Sequence, residues 1–365
     1  SSVIPLMYRL GQPVDVVDAA IPYYRMLVFS MPFVMLFFAF KQFLEGVGNT
    51  KAELAVTIVA NIINCVLNYI FIFGNFGFSE MGVEGAGLGT LLSRITAAIL
   101  IAGYFVVWRV FDSCFHYPLP KQLCTAARVS YWYGEKEYSQ RALDIRHVRR
   151  LLYMGLPISA QMFLESSAFI GTGIMMGWLG KEAISANQIA NTMSTSAFMI
   201  VLSIGAATTI RTSHCYGRRD IGELTMAVKA SYHLVLAWNT LAAIVFISLC
   251  NFLPALFTEN AEVINIASSL FVFMAFFQLS DGVQNVSVGV LRGIQDVKII
   301  MPIAFTAYWL LNLPVGYLLA FTLGMGPTGM YVGYIIGLSV AAILMIRRIR
   351  RRIRTMRTQA DTPMA

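Results

Sequence analysis

"LLYMGLPISAQMFLESSAFIGTGIMMGWLG", residues 151–180, is long and apolar enough to cross a membrane as a helix, yet it carries Glu165 near its middle with no basic residue beside it. A charge at that depth costs about 2.5–3.5 kcal/mol on insertion scales, so such a group faces a cavity or a partner rather than lipid. The 365-residue chain around it is 57 % hydrophobic and 13 % charged, with mean hydropathy +0.67. Soluble domains carry roughly 25 % charged residues. Polar side chains are therefore too few to cover a globular surface, and the composition predicts an integral membrane protein. Backbone groups in lipid must be satisfied internally, which makes the expected fold an all-α polytopic helix bundle.

Nine apolar runs are read as spans, at about 20–45, 53–75, 82–109, 150–178, 185–211, 224–256, 262–291, 299–323 and 327–347. The formal charge is +8, and "RRIRRRIRTMR" (347–357) after the last run supplies much of it. Such a block marks the cytoplasmic side and meets anionic headgroups, a better reading than nucleic-acid binding. With the C-terminus inside, Lys and Arg fall on inside loops such as "RTSHCYGRRD" and "RGIQDVK", and outside loops are acidic or neutral apart from Lys181. Lys41, Glu45 and Arg292 lie near cytoplasmic ends, where long side chains extend to the interface.

A repeat underlies the spans. "FLEGVGNTK" (43–51) matches "VLRGIQDVK" (290–298), pairing Leu44 with Leu291 and Gly46 with Gly293; "VDVVDAA" (14–20) faces "AEVINIA" (261–267) at the same offset. After a short deletion, Gly82, Gly85 and Gly89 face Gly326, Gly329 and Gly333. Six helices separate the partners, so the copies are parallel repeats related by an axis along the membrane normal. The expected organisation is the remainder of an N-terminal lobe (1–110) short of about three helices, a cytoplasmic inter-lobe segment (111–149), a C-terminal six-helix lobe (150–347) and a basic cytoplasmic tail (348–365). No secretory signal is read in "SSVIPLMYRLGQP".

Mid-span ionisable residues are the candidates for chemistry. Glu165 lies roughly 22 Å along the fourth span at 1.5 Å per residue, and Asp281, in "FFQLSDGVQNVSVGVLRG", falls at similar depth in the seventh. Gln161 sits at i−4 from Glu165, and Gln278 and Gln284 at i−3 and i+3 from Asp281, on each acid's face. Structural carboxylates bonded to a neighbouring helix are one reading. The other is an acid pair of tunable cation affinity, exchanging H⁺ or Na⁺ for an organic cation. Arg94 in the third span is a partner for an acid or for helix-end carbonyls, or else an anion site. Asn61, Asn64 and Asn68 share one face of the second span, bonding across helices or forming a weaker cation site. The methionines of the fourth and fifth spans suit packing and also a surface that accepts varied ligands. Five cysteines without CxxC spacing, four scattered histidines and the absence of nucleophile, zincin or Walker signatures point away from a disulfide framework, a bound metal, a cofactor or an enzyme.

"GLPISAQMFLES", "SANQIANTMSTSAFMIVLSIGAATTIR", "LSDGVQNVSVGVLRGIQD" and "FLEGVGNTKAELAVTIVANIINCVLNYIFIFG" resemble the multidrug and toxic compound extrusion (MATE) family over about residues 11–350. The resemblance implies two six-helix lobes and monomeric export of organic, often cationic, compounds across the plasma (bacterial inner) membrane, in exchange for Na⁺ or H⁺. It assigns Glu165 and Asp281 to cation coupling, with Na⁺ as one candidate ion. Phe277 stands where many members place a tyrosine. Asn64 and Thr90 match a first-lobe cation site, whose aspartate position is Asn68 here. Gln188, in the second motif, completes the weaker set. A flippase of related fold for lipid-linked oligosaccharide or polysaccharide is the alternative; it favours several basic cavity residues, where only Arg94 is read.

Overall fold

The computed structural model describes residues 14–47, 49–77, 79–107 and 145–361. Most of the inter-lobe segment, including residues 111–144, lies outside the described residues. Those described are almost wholly helical and contain no strand. Chain contacts separate two units, Ser1–Pro120 and Lys121–Ala365.

The first unit holds α1 (Val14–Val47), α2 (Thr50–Phe73) and α3 (Gly82–Val107). In it α3 packs along both α1 and α2, which meet each other far less. The second unit holds α4 (Ile145–Trp178), α5 (Lys181–Gly217), α6 (Ile221–Ser248), the short α7 (Phe252–Ala255), α8 (Ala261–Gly293), α9 (Val297–Thr322) and α10 (Pro327–Asp361). Nine of these helices are long, as the sequence predicts. The expected sixth span breaks after Ser248 into α6 and α7, and α10 continues through the arginine block rather than ending at 347. Eight described helices are apolar enough to cross a membrane by length and composition. The ninth, α4, is long enough, but Gln161, Glu165, Ser166, Ser167 and Thr172 dilute its hydropathy.

Burial follows helical periodicity. On α4, Gln161, Ala168, Thr172 and Met176 are buried along the stripe that contains Glu165, while Phe163 (71 % exposed) and Ile170 (64 %) point outward. Large exposed apolar side chains on every long helix are what a lipid-facing surface requires. At the centre of the unit runs α8, packed against α5, α6 and α10 and buried along most of its length. Glycine permits this density: a β-carbon on Gly282 would collide with Asn239 Nδ2, and one on Gly293 with Thr212 Oγ1.

The repeat is visible in the backbone. Asn49 N–H donates to the Leu44 carbonyl at 2.9 Å, and its counterpart Asp296 N–H donates to the Leu291 carbonyl at 2.9 Å. Each turn is then tied to the third helix of its copy. Asn49 Nδ2 donates to the Tyr104 hydroxyl at 3.0 Å, while Asp296 accepts from Arg348 Nε at 2.7 Å and Nη2 at 3.1 Å. In both copies the third helix packs closely on the first and second, which touch little.

One helix departs from regularity. Within α9, Phe305–Asn312 and Leu318–Thr322 are π-helical, next to Pro302 and Pro314. Proline removes a donor from the ladder, and π turns cluster at functional sites.

Candidate cation and substrate site

A cavity of about 480 Å³ opens in the second unit between α4, α5 and α8. Gln161, Glu165, Ser166, Gln284, Asn285 and Arg292 supply polar groups, and Phe169 and Phe198 supply aromatic faces. A mostly apolar chamber with a few convergent polar groups is the usual form of a small-molecule site.

Glu165 is half-buried on the wall, one turn from Gln161, whose Nε2 donates to Glu165 Oε2 at 2.7 Å. Tyr308, carried by the first π segment of α9, donates its hydroxyl to Gln284 Oε1 at 3.0 Å and also reaches the Glu165 carboxylate. Beyond Gln161, Arg292 Nη2 donates to Gln161 Oε1 at 2.9 Å. Glu165 thus belongs to a network from α4, α8 and α9 and makes no direct ion pair among the described residues.

Asp281 lies deeper. It is 5 % exposed, is absent from the cavity wall, accepts no hydrogen bond from a described residue, and feels the charge of Glu165. Phe277 is buried, its ring 5.8 Å from that of Tyr331 and 5.7 Å from that of Tyr334. A hydroxyl does enter the site, from Tyr308 of α9 rather than from position 277. Gln278 is fully buried and neither end of its side-chain amide has a partner, although its backbone carbonyl accepts from Asn239 Nδ2 at 2.7 Å. Gln188 is exposed on α5 and does not line the cavity.

In the first unit Asn68 Nδ2 donates to Asn64 Oδ1 at 3.2 Å, and Asn68 Oδ1 is buried without a partner against Gly89. Thr90, on α3, returns its hydroxyl to the Ala86 carbonyl. Asn61 is exposed. Arg94 Nη1 donates to Ser30 Oγ at 2.6 Å, and among the described residues it meets no carboxylate. Among the described residues no three His, Cys, Asp or Glu side chains converge as a metal set.

Three residues overturn or extend the sequence reading. Arg292, expected to extend toward the headgroups, instead donates to Gln161 and lines the cavity, because α4 presents an amide within its reach. Tyr308 and Asn285 join the site unannounced. Asn285 stands beside Gln284 in the quoted motif, and Gly205 on α5 leaves room for it, since a β-carbon there would collide with Asn285 Oδ1. For Tyr308 the local sequence holds no signal.

The chain matches the family model described as MatE over residues 3–70 and 157–318. It is 33 % identical over 360 residues to multidrug resistance protein NorM of Photobacterium profundum, covering 95 % of this chain and 74 % of that one. A probable multidrug resistance protein NorM of Xylella fastidiosa is 33 % identical over 350 residues, covering 96 % and 70 %. Among solved structures, an outward-facing multidrug resistance MATE family transporter of the MOP superfamily superposes with TM-score 0.82 at 20 % identity, over 98 % of this chain and 74 % of that one. A Vibrio cholerae MATE transporter, VcmN, gives TM-score 0.80 at 18 % identity, over 96 % and 73 %. Long helices, an acid held on a cavity wall, the family match and the NorM relatives converge on one assignment: the chain belongs to the MatE family of membrane transporters.

Proposed function

We propose that this protein exports organic, often cationic, compounds across the plasma (bacterial inner) membrane in exchange for H⁺ or Na⁺, with Glu165 and Asp281 as the cation-coupling pair. The observation that carries the reading is Glu165 itself: a mid-helix carboxylate on a cavity wall, bonded to neutral groups and open to an incoming cation. The names of the NorM relatives support drug-like substrates, and Phe169, Phe198 and Met162 on the cavity wall suit varied apolar cations. The multidrug names of those relatives give the flippase alternative no support.

In this reading the coupling ion and the substrate bind the two access states unequally, which is the condition for either to drive the change. The membrane potential adds about 2.3 kcal/mol per unit charge per 100 mV. The C-terminal arginine block sets the cytoplasmic side, and the two units represent part of an N-terminal lobe and a six-helix C-terminal lobe of one monomer. Gln161, Gln278 and Gln284 serve as neutral neighbours of the acids, and Asn64, Asn68 and Thr90 as a weaker first-unit cluster.

Efflux of ethidium from cells expressing the protein, compared with Glu165→Gln and Asp281→Asn, tests the reading. Each variant is expected to lose coupled efflux at normal expression. Full efflux by both removes the assignment.

A further inference from the structure

Arg292 is the penultimate residue of α8, a place from which a long cationic side chain ordinarily reaches the headgroups. It turns the other way. Its guanidinium lines the same cavity as Glu165, donates from Nη2 to Gln161 at 2.9 Å, and leaves Nε buried without a partner. Among the described residues no carboxylate pairs with it within 4.0 Å. A guanidinium is always charged, and burying that charge without a direct counter-ion is costly.

The amide between the two charges is polarised to suit both. Gln161 Nε2 faces the Glu165 carboxylate and Oε1 faces the guanidinium, so one side chain reads the anion on one side and the cation on the other. Gln161 thus joins the two charges through a single side chain. Among the described residues the remaining ionisable groups around Glu165 are Asp281 from α8 and Tyr308 from α9, with Tyr334 of α10 beyond Asp281, and none is basic. Arg292 is the basic side chain on the cavity wall.

We propose that Arg292 is a resident counter-cation for Glu165: held one amide away, it competes electrostatically with the incoming coupling cation and so sets how tightly the carboxylate holds it. The inference rests on the reading of Glu165 as a coupling residue. An isolated carboxylate in a low-dielectric chamber binds a cation firmly and releases it slowly, whereas a transport cycle needs both steps. A fixed positive charge nearby lowers the affinity without blocking the site. Arg292 is a positioning residue here, acting through Gln161 rather than touching the ion.

The test uses the purified protein in proteoliposomes, with ethidium transport driven in one arm by a Na⁺ gradient and in the other by a proton gradient. Thermal shift of the detergent-purified protein under NaCl titration at constant ionic strength reads Na⁺ affinity independently of turnover. For Arg292→Gln the half-saturating concentration of the driving cation is expected to fall about tenfold, as for loss of one nearby unit charge in a medium of intermediate dielectric, while maximal transport slows. Arg292→Lys, which keeps the charge, is expected to return the half-saturating concentration to within about threefold of the parent. An unchanged half-saturating concentration in Arg292→Gln, with or without reduced transport, overturns the proposal, as does failure of the lysine variant to restore it. Glu165→Gln separates the two ideas. If it retains cation dependence, the coupling assignment falls; if it loses that dependence while Arg292→Gln matches the parent, only the counter-cation role falls.

Discussion

Position 45 of the first unit and position 292 of the second occupy the same place in the internal repeat, one residue after the paired leucines, and carry opposite charges. Glu45 joins Lys41 and Glu53 in a cluster, with Lys41 Nζ 3.8 Å from Glu45 Oε1 and 2.7 Å from Glu53 Oε1. Arg292 turns instead into the second unit's cavity. The same divergence appears at the turns, where a neutral Asn49–Tyr104 bond in one copy is a charged Asp296–Arg348 bond in the other. It appears again in the interior, where Val34 of α1 stands at the repeat position of Asp281 of α8. The backbone solution is shared while the charge differs, so the copies do different electrostatic work on one scaffold.

The sharpest way to break this comparison is to neutralise its charged side. Glu165→Gln and Asp281→Asn are each expected to lower cation-coupled ethidium efflux at least tenfold, whereas Asn64→Ala and Asn68→Ala lower it less than about threefold. Equal losses in both units would show that the charge difference is unimportant to transport. Packing gives the next contrast. Gly293→Ala drives a β-carbon onto Thr212 Oγ1 and is expected to cost about 1–3 kcal/mol, read as a lower melting temperature in detergent. Its repeat partner Gly46 has no atom within 4 Å of that position, and Gly46→Ala is expected to stay within about 0.5 kcal/mol of the parent.

The turn ties sharpen the comparison further. Asp296→Ala removes a two-pronged bond to a partly exposed arginine and is expected to cost about 1 kcal/mol, decreasing as salt is raised. Asn49→Ala should cost less and show no salt dependence, because its bond is neutral. Arg94→Gln in the first unit is expected to have the smallest effect, less than twofold in efflux, since its described contact is one bond to Ser30.

The sequence made some of this legible and hid the rest for physical reasons. Helix positions could be read because lipid burial demands long apolar runs, and the repeat because some of its glycines, Gly85 and Gly89 in one copy and Gly329 and Gly333 in the other, mark close helix approach. The contact between Gln161 and Glu165 is local, set by one helical turn, and so lies open to reading from spacing alone. Tyr308 and Arg292 are different. Each reaches the site across a helix interface, and Tyr308 also depends on a π segment that the nearby Pro302 and Pro314 mark only as an irregularity, without fixing which way the tyrosine faces. The deeper seat of Asp281, off the cavity wall, likewise follows from how α8 is surrounded on three sides.

The π segments of α9 have one more consequence. Each successive residue of an α-helix advances about 100° around the axis, so an added residue rotates everything after it by nearly a third of a circle. Within one continuous rod, α9 can therefore aim Trp309 at Ser167 of α4 and seat Asn312 against Gly333 and Gly337 of α10. Deleting a single residue there would leave a helix of almost the same length, with its downstream half facing the wrong neighbours.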